Sequence, residues 1–64
     1  VTTCRVISLT VGDVIKVYDH PPQLCLDRDG MRVKWMDLEN GEIHALEYEV
    51  HTLQGLEWFI RATS

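Results

Sequence analysis

Nowhere in this chain do apolar residues run on for the roughly 20 positions that a membrane-spanning helix needs. The N-terminal stretch also lacks the charged-then-apolar shape of a secretory signal. Both absences lead us to expect a cytoplasmic protein. Cysteine is scarce, with only Cys4 and Cys25, and two do not make the disulfide framework of small secreted domains. They read as small, reduced hydrophobes, with a single bridge from the first strand to the second as the alternative. Bases are outnumbered, six against ten carboxylates, for a formal net charge of −4. Such a field repels a phosphate backbone unless the bases cluster.

Recognisable catalytic and metal-binding patterns are missing too. No Cys or Ser sits in a nucleophile elbow, and no glycine-rich loop precedes a helix. His20, His44 and His51, with the two cysteines, contain ligand atoms but no Cys-x-x-Cys or His-x-x-x-His spacing. A chain this short has little room for the concave pocket that catalysis usually requires. The expectation is a non-enzymatic protein with no cofactor and no metal.

What is present is a β pattern. The apolar fraction, 45% of 64 residues, is too high for a disordered chain. One domain spanning 1–64 is expected, burying only about 60% of its unfolded surface. "CRVIS" (4–8) and "DVIKVY" (13–18) are rich in β-branched residues. His20-Pro21-Pro22 stops the second strand, because proline has no N–H for a ladder. "QLCLDRD" (23–29) and "MRVKWMDLE" (31–39) flank Asp29-Gly30, a favoured tight-turn pair. Asn40-Gly41 predicts a second hairpin turn of type I′. Leu46 directly after Ala45 interrupts the alternation, which predicts a bulge or a strand end there. Residues 46–53 fit either a strand or a helical spacing, and "LEWFIRA" (56–62) alternates again. The predicted fold is all-β: a small five-stranded barrel or curled meander, with a short helical turn possible before the last strand. The alternative is α+β with a helix over 42–53. Val14 or Val17, Leu24, Val33, Ile43 and Ile60 are the predicted core.

"GDVIKVY" followed by "RVKWMDLENGEIHALEYEVHTL" resembles the SH3-like barrel superfamily, and within it the Tudor type. Val33, Trp35, Asp37 and the Asn40-Gly41 turn fall in comparable places, while Leu38 and Glu39 stand where a Tudor domain carries an aromatic and a glycine. The resemblance covers about two-thirds of the chain. It implies a small barrel, and as one alternative function a reader of methylated residues. An aromatic cage of that kind would draw on Tyr18, Trp35 and Tyr48.

Two surfaces follow from the residues themselves. The acidic set Glu39, Glu42, Glu47, Glu49 and Glu57 either solvates a tiny domain or rims an interface for a basic partner. In each neighbouring apolar pair, one member reaches solvent if the other is buried, and exposed Met, Phe and Trp anchor interfaces. The expected function is therefore a protein-interaction module, of a size that suits a bacterial or phage regulatory accessory protein. Its partner-binding residues are predicted as Met36, Glu39, Glu42, Tyr48 and Phe59, and self-association is nearly as well supported as a foreign partner. The alternative of another class is a nucleic-acid binder using Arg28, Arg32 and Lys34, with Trp35 as a stacking platform.

Overall fold

The computed structural model describes residues 2–62; Val1, Thr63 and Ser64, which the single-domain reading includes, lie outside them. The strands are β1 (Thr3–Arg5), β2 (Val14–Val17), β3 (Gln23–Asp29), β4 (Arg32–Asp37), β5 (Ile43–Glu47), β6 (Thr52–Gln54) and β7 (Leu56–Ile60). One turn of 3-10 helix, Val6–Ser8, follows β1. The fold is thus all-β, and the α+β alternative is overturned: 42–53 holds all of β5, a bend and the first two residues of β6 rather than a helix. The helical turn lies after the first strand, not before the last. No helix among the described residues is long and apolar enough to cross a membrane.

Hydrogen bonding builds a five-stranded antiparallel sheet in the order β5-β4-β3-β2-β7 and a two-stranded sheet of β1 and β6. β5 and β7 are the edges of the larger sheet, so the chain forms a curled meander rather than a closed barrel. Both hairpin signals work, with altered geometry. Asp29 pairs with Arg32, so Gly30-Met31 rather than Asp29-Gly30 is the central pair. Gly30 has φ of 61°, while Met31 is not in the positive region, the pattern of a type II′ turn. The predicted type I′ turn at Asn40-Gly41 is replaced by a five-residue connection, 38–42, in which only Gly41 is left-handed. Side chains explain the longer loop: Asp37 Oδ1 accepts from Glu39 N–H at 2.8 Å, and Asn40 Oδ1 accepts from Glu42 N–H at 2.9 Å. Such local bonds give the backbone an alternative to the ladder.

The expected break at Leu46 is absent. β5 runs in continuous register along β4, pairing Ile43 with Met36 and Leu46 with Val33. Ile43 and Ala45 point to one face of the sheet, and Leu46 to the other. Register shifts occur instead between Cys25 and Asp27 and between Lys16 and Val17.

These bulges decide what is buried. Val6, Leu9, Ile15, Cys25, Val33, Trp35 and Leu56 form the core between the large sheet and the chain around β1 and β6. Of the predicted core, Val33 is buried, Val17 packs against the cluster, and Leu24 and Val14 are half-buried. Ile43 and Ile60 are both 58% exposed and do not belong to it. The reason is register. Val17 lies opposite Leu56 while Lys16 lies opposite Trp58, so the bulge turns Leu56 inward and leaves Trp58 and Ile60 on the outer face. Both cysteines are free thiols, so the bridge is not formed.

Among the described residues one buried side chain is charged. Asp13, with no exposed surface, accepts from Thr10 N–H at 2.9 Å, Thr10 Oγ1 at 3.2 Å and Ala62 N–H at 2.7 Å. Its own backbone carbonyl accepts from Cys25 N–H at 2.8 Å. Burial by itself raises the pKa of this carboxyl, but the bonds from Ala62 and Thr10 and the nearby Arg61 charge outweigh it. The net result is a pKa below the ordinary carboxylate value.

Two predictions follow from this packing. Leu56→Ala should cost about 2–4 kcal/mol of unfolding free energy, whereas Ile60→Ala and Ile43→Ala should stay within about 0.5 kcal/mol of wild type. Denaturant melts of the three variants check the register directly. Asp13→Ala should cost about 3 kcal/mol, because it strands two backbone donors in the interior. The acid limb follows from the lowered folded pKa: the unfolded chain binds the proton more readily, so the ionised group's contribution is complete above an unfolded value near about 4. It is lost as pH falls through the lower folded value, and Asp13→Asn should flatten that part of the pH–stability curve.

Candidate functional site: an inner cleft and an outer apolar row

Because side chains alternate along each strand, the large sheet has two faces with different occupants. On the inner face, beyond the buried cluster, β2, β3, β4, β5 and β6 leave an open cleft of about 390 Å³. Its walls are mostly aliphatic, with Leu46 from β5 and Leu53 from β6. Trp35 and Tyr48 supply its rings, and Gln23, Asp37, His20 and His44 its polar groups. Trp35, 1% exposed, donates from Nε1 to the Tyr48 hydroxyl at 2.9 Å. Burial raises the pKa of Tyr48; the bond from Trp35 opposes that rise without cancelling it.

The outer face carries a continuous apolar row. Cross-strand pairing joins Ile43 to Met36, Met36 to Leu24, Leu24 to Val14 and Val14 to Ile60. Paired residues in antiparallel strands share a face, so these five side chains cross the whole sheet. The row is half-buried in the middle and exposed at both ends. Beside it lie compensated charges: Asp29 pairs with Arg32, which pairs with Glu47, and Asp27 pairs with Lys34. On the far side Lys16 Nζ meets Glu57 Oε2 at 3.0 Å.

The predicted partner-binding set divides between these faces. Met36 belongs to the outer row, and Glu39 and Glu42 are exposed in the 38–42 loop beside it. Tyr48 lines the inner cleft. Phe59 pairs with Ile15 on the inner face, half-buried, with the Arg61 guanidinium 5.2 Å from its ring centroid. Tyr48 and Phe59 are therefore withdrawn from a common interface with Met36. The nucleic-acid set fares worse. Trp35 is buried and cannot stack on a base. Arg28 donates to Leu9 O at 2.7 Å and to Gly30 O at 2.9 Å, which commits its guanidinium to the fold. Arg32 and Lys34 remain exposed but face carboxylates. Nor do the three rings of the cage reading converge, since Tyr18 sits on a turn, 56% exposed, and does not line the cleft.

Sequence reasoning missed Gln23, Asp37 and His44 in the cleft and Leu24, Val14 and Ile60 in the row. Alternation around Met36 carried part of the signal, but the bulges that set β3 and β7 in register carried none. Among the described residues, no group of three or more His, Cys, Asp or Glu side chains is placed to hold a metal ion. Burial is the main influence on both thiols and raises their pKa, which disfavours the nucleophilic thiolate.

Comparisons with protein-family models, with curated proteins and with solved structures give no match. The class defined by the fold and its surfaces is accordingly a small, two-sheet antiparallel β domain with a cleft on one face and an apolar row on the other.

Tyr48→Phe should cost about 1–2 kcal/mol, since it leaves the buried Trp35 Nε1–H without an acceptor. Thermal melting of that variant, with near-ultraviolet dichroism of Trp35, measures the loss.

Proposed function

We propose that the chain is a protein-interaction module that binds a partner across the outer face of its large sheet. The observation that carries this reading is the row Ile43–Met36–Leu24–Val14–Ile60, established by four strand registers. A row of apolar side chains on a sheet's outward face gains from being covered. Met36 at its half-buried centre is suited to anchor a contact, and Glu39 and Glu42 on the adjoining loop provide an acidic rim that favours a basic partner surface.

The meander β2-β3-β4-β5 with β7 returned beside β2 supports reading the fold as an opened variant of the SH3-like barrel. Two unpaired thiols support a reducing, cytoplasmic setting. The small domain and its single apolar row suit a regulatory accessory protein. A second copy of the chain is the competing occupant of the same face.

Immobilised wild-type chain should retain a specific host protein that Met36→Lys fails to retain, at a loss of about tenfold or more in affinity, while the variant's melting temperature stays close to wild type. Glu39→Lys should slow association with little change in dissociation. Sedimentation of the purified chain separates the occupants: a dimer abolished by Met36→Lys assigns the face to self-association. Retention of the partner by Met36→Lys and by Ile43→Lys alike overturns the reading.

A further inference from the structure

The edge of the large sheet at β5 has a defined hydrogen-bonding face. Asp37 N–H donates to Glu42 O at 2.8 Å, and Tyr48 N–H donates to Met31 O at 2.9 Å. In the continuous register of β4 with β5 these are bonded pairs of one ladder, and bonded pairs alternate along an antiparallel ladder. His44 and Leu46 therefore bond back to β4, while the N–H and C=O groups of Ile43, Ala45 and Glu47 point away from it. No strand among the described residues lies on that side. Every residue of β5 is exposed, and Ile43, Ala45 and Leu46 make the edge apolar. β5 has no proline, lysine or bulge, the devices that blunt an edge, and its formal charge, Glu47, stands at its last position. The other edge, β7, is protected. It is bulged opposite the Lys16–Val17 step, its Leu56 N–H donates to Thr2 O at 3.1 Å, and the Arg61 guanidinium lies over Phe59.

We propose that β5 receives an extended segment of another protein as an added antiparallel strand, apolar along its length and carrying a lysine or arginine at each end. Backbone bonds to Ile43, Ala45 and Glu47 supply the attachment, and side chains at alternate positions supply the choice of partner. On the inner face those side chains stand beside His44 and Leu46, which already wall the apolar cleft. On the outer face they continue the apolar row beyond Ile43. Carboxylates bracket the edge, with Glu42 before it and Glu47 and Glu49 at its far end, all exposed. Residues 35–60 contain no lysine or arginine, and Arg32, across from Glu47, is shared with Asp29. Basic ends on the added strand complete these pairs. A second copy of the chain fits less well. Pairing about Ala45, the register that uses the whole edge, brings Glu42 of one copy and Glu47 of the other to the same end, and each copy carries −4. The attachment is made at the edge and does not rest on the outer-face interface.

The probe is the peptide acetyl-KLVTIK-amide, whose antiparallel register sets its lysines against Glu47 and Glu42 and its valine against Ala45. A nitrogen-15 NMR titration should give saturable shifts centred on Ile43, Ala45 and Glu47, with a dissociation constant of about 1 mM or tighter. Amide exchange should slow at the same residues. Methylating the valine nitrogen, whose N–H faces β5, should weaken binding by about tenfold or more, whereas methylating the threonine nitrogen, whose N–H faces away, should not. The acidic-ended peptide acetyl-ELVTIE-amide should give no saturable shift. Ala45→Pro removes a donor that makes no bond to β4, so it should keep the fold and lose about tenfold or more in affinity. Glu47→Gln, which leaves the backbone untouched, should lose about threefold at an unchanged melting temperature. Met36→Lys should bind the peptide as wild type does, which separates this edge from the outer-face reading. Equal losses from the two methylated peptides overturn the inference, as do shifts confined to β7 or an absence of saturable shifts. So does a dimer of the chain alone that Ala45→Pro abolishes, which assigns the edge to a second copy.

Discussion

The carboxylate of Asp13 is the constraint on which the rest of the chain depends. It sits in the interior with three donors pointed at it, two from Thr10 and one from Ala62. Those donors come from opposite ends of the described chain, so a single side chain ties the turn before β2 to the segment after β7. Its backbone extends the tie into β3, since Cys25 N–H donates to Asp13 O and Gly12 N–H to Cys25 O at 2.9 Å. A small domain has few buried residues with which to hold its topology, and a charge in the interior is tolerated only when its acceptor sites are filled. Gly12 completes the arrangement. Its φ of 96° is left-handed, and a Cβ there would meet the Ala62 Cβ at 3.0 Å. The site admits glycine because the C-terminal segment passes that closely.

A sheet five strands wide in a chain of this length must use both of its faces. The inner face is shared by the buried cluster and the cleft, because the two-stranded sheet of β1 and β6 is too small to cover all of it. The outer face has no second layer, and there the apolar row is left in the open. Two distinct surfaces thus arise from one economy: there is too little chain to cover either face completely. Burial on the inner face carries a local cost at Gln23 Oε1, which accepts no hydrogen bond among the described residues. The row carries a cost of another kind, exposure of apolar surface that favours association.

The sequence made the strands legible wherever local chemistry is decisive. Glycine at 30 and 41 marked the two hairpin connections, and the β-branched content of "DVIKV" predicted a strand, although β2 ends at Val17, at a turn in which Asp19 has φ of 68°, before the prolines expected to stop it. Met36 as an outward apolar residue was also readable, because Val33 and Trp35 occupy the opposite phase of β4. What could not be read was the register between strands. Ile60 and Leu56 look equivalent by period-two counting, yet one is exposed and the other buried, because β7 carries an extra residue, Glu57, opposite the Lys16–Val17 step of β2. The same limit hid the pairing of Gln23 with Asp37.

The sequence by itself determined a mostly β pattern, the two hairpin connections, a net negative charge and a supply of apolar residues too large for one small core. Those are properties of composition and of neighbours along the chain, where sterics and hydrogen-bonding preferences act over a few residues. Tertiary structure alone decided which apolar residues are hidden, which cluster into a row, and which polar atom is left unpaired. Each of these depends on what lies across the sheet. A β-bulge moves every later side chain to the opposite face for the cost of one residue, and the two bulges here leave no mark in the pattern of the strands that they realign.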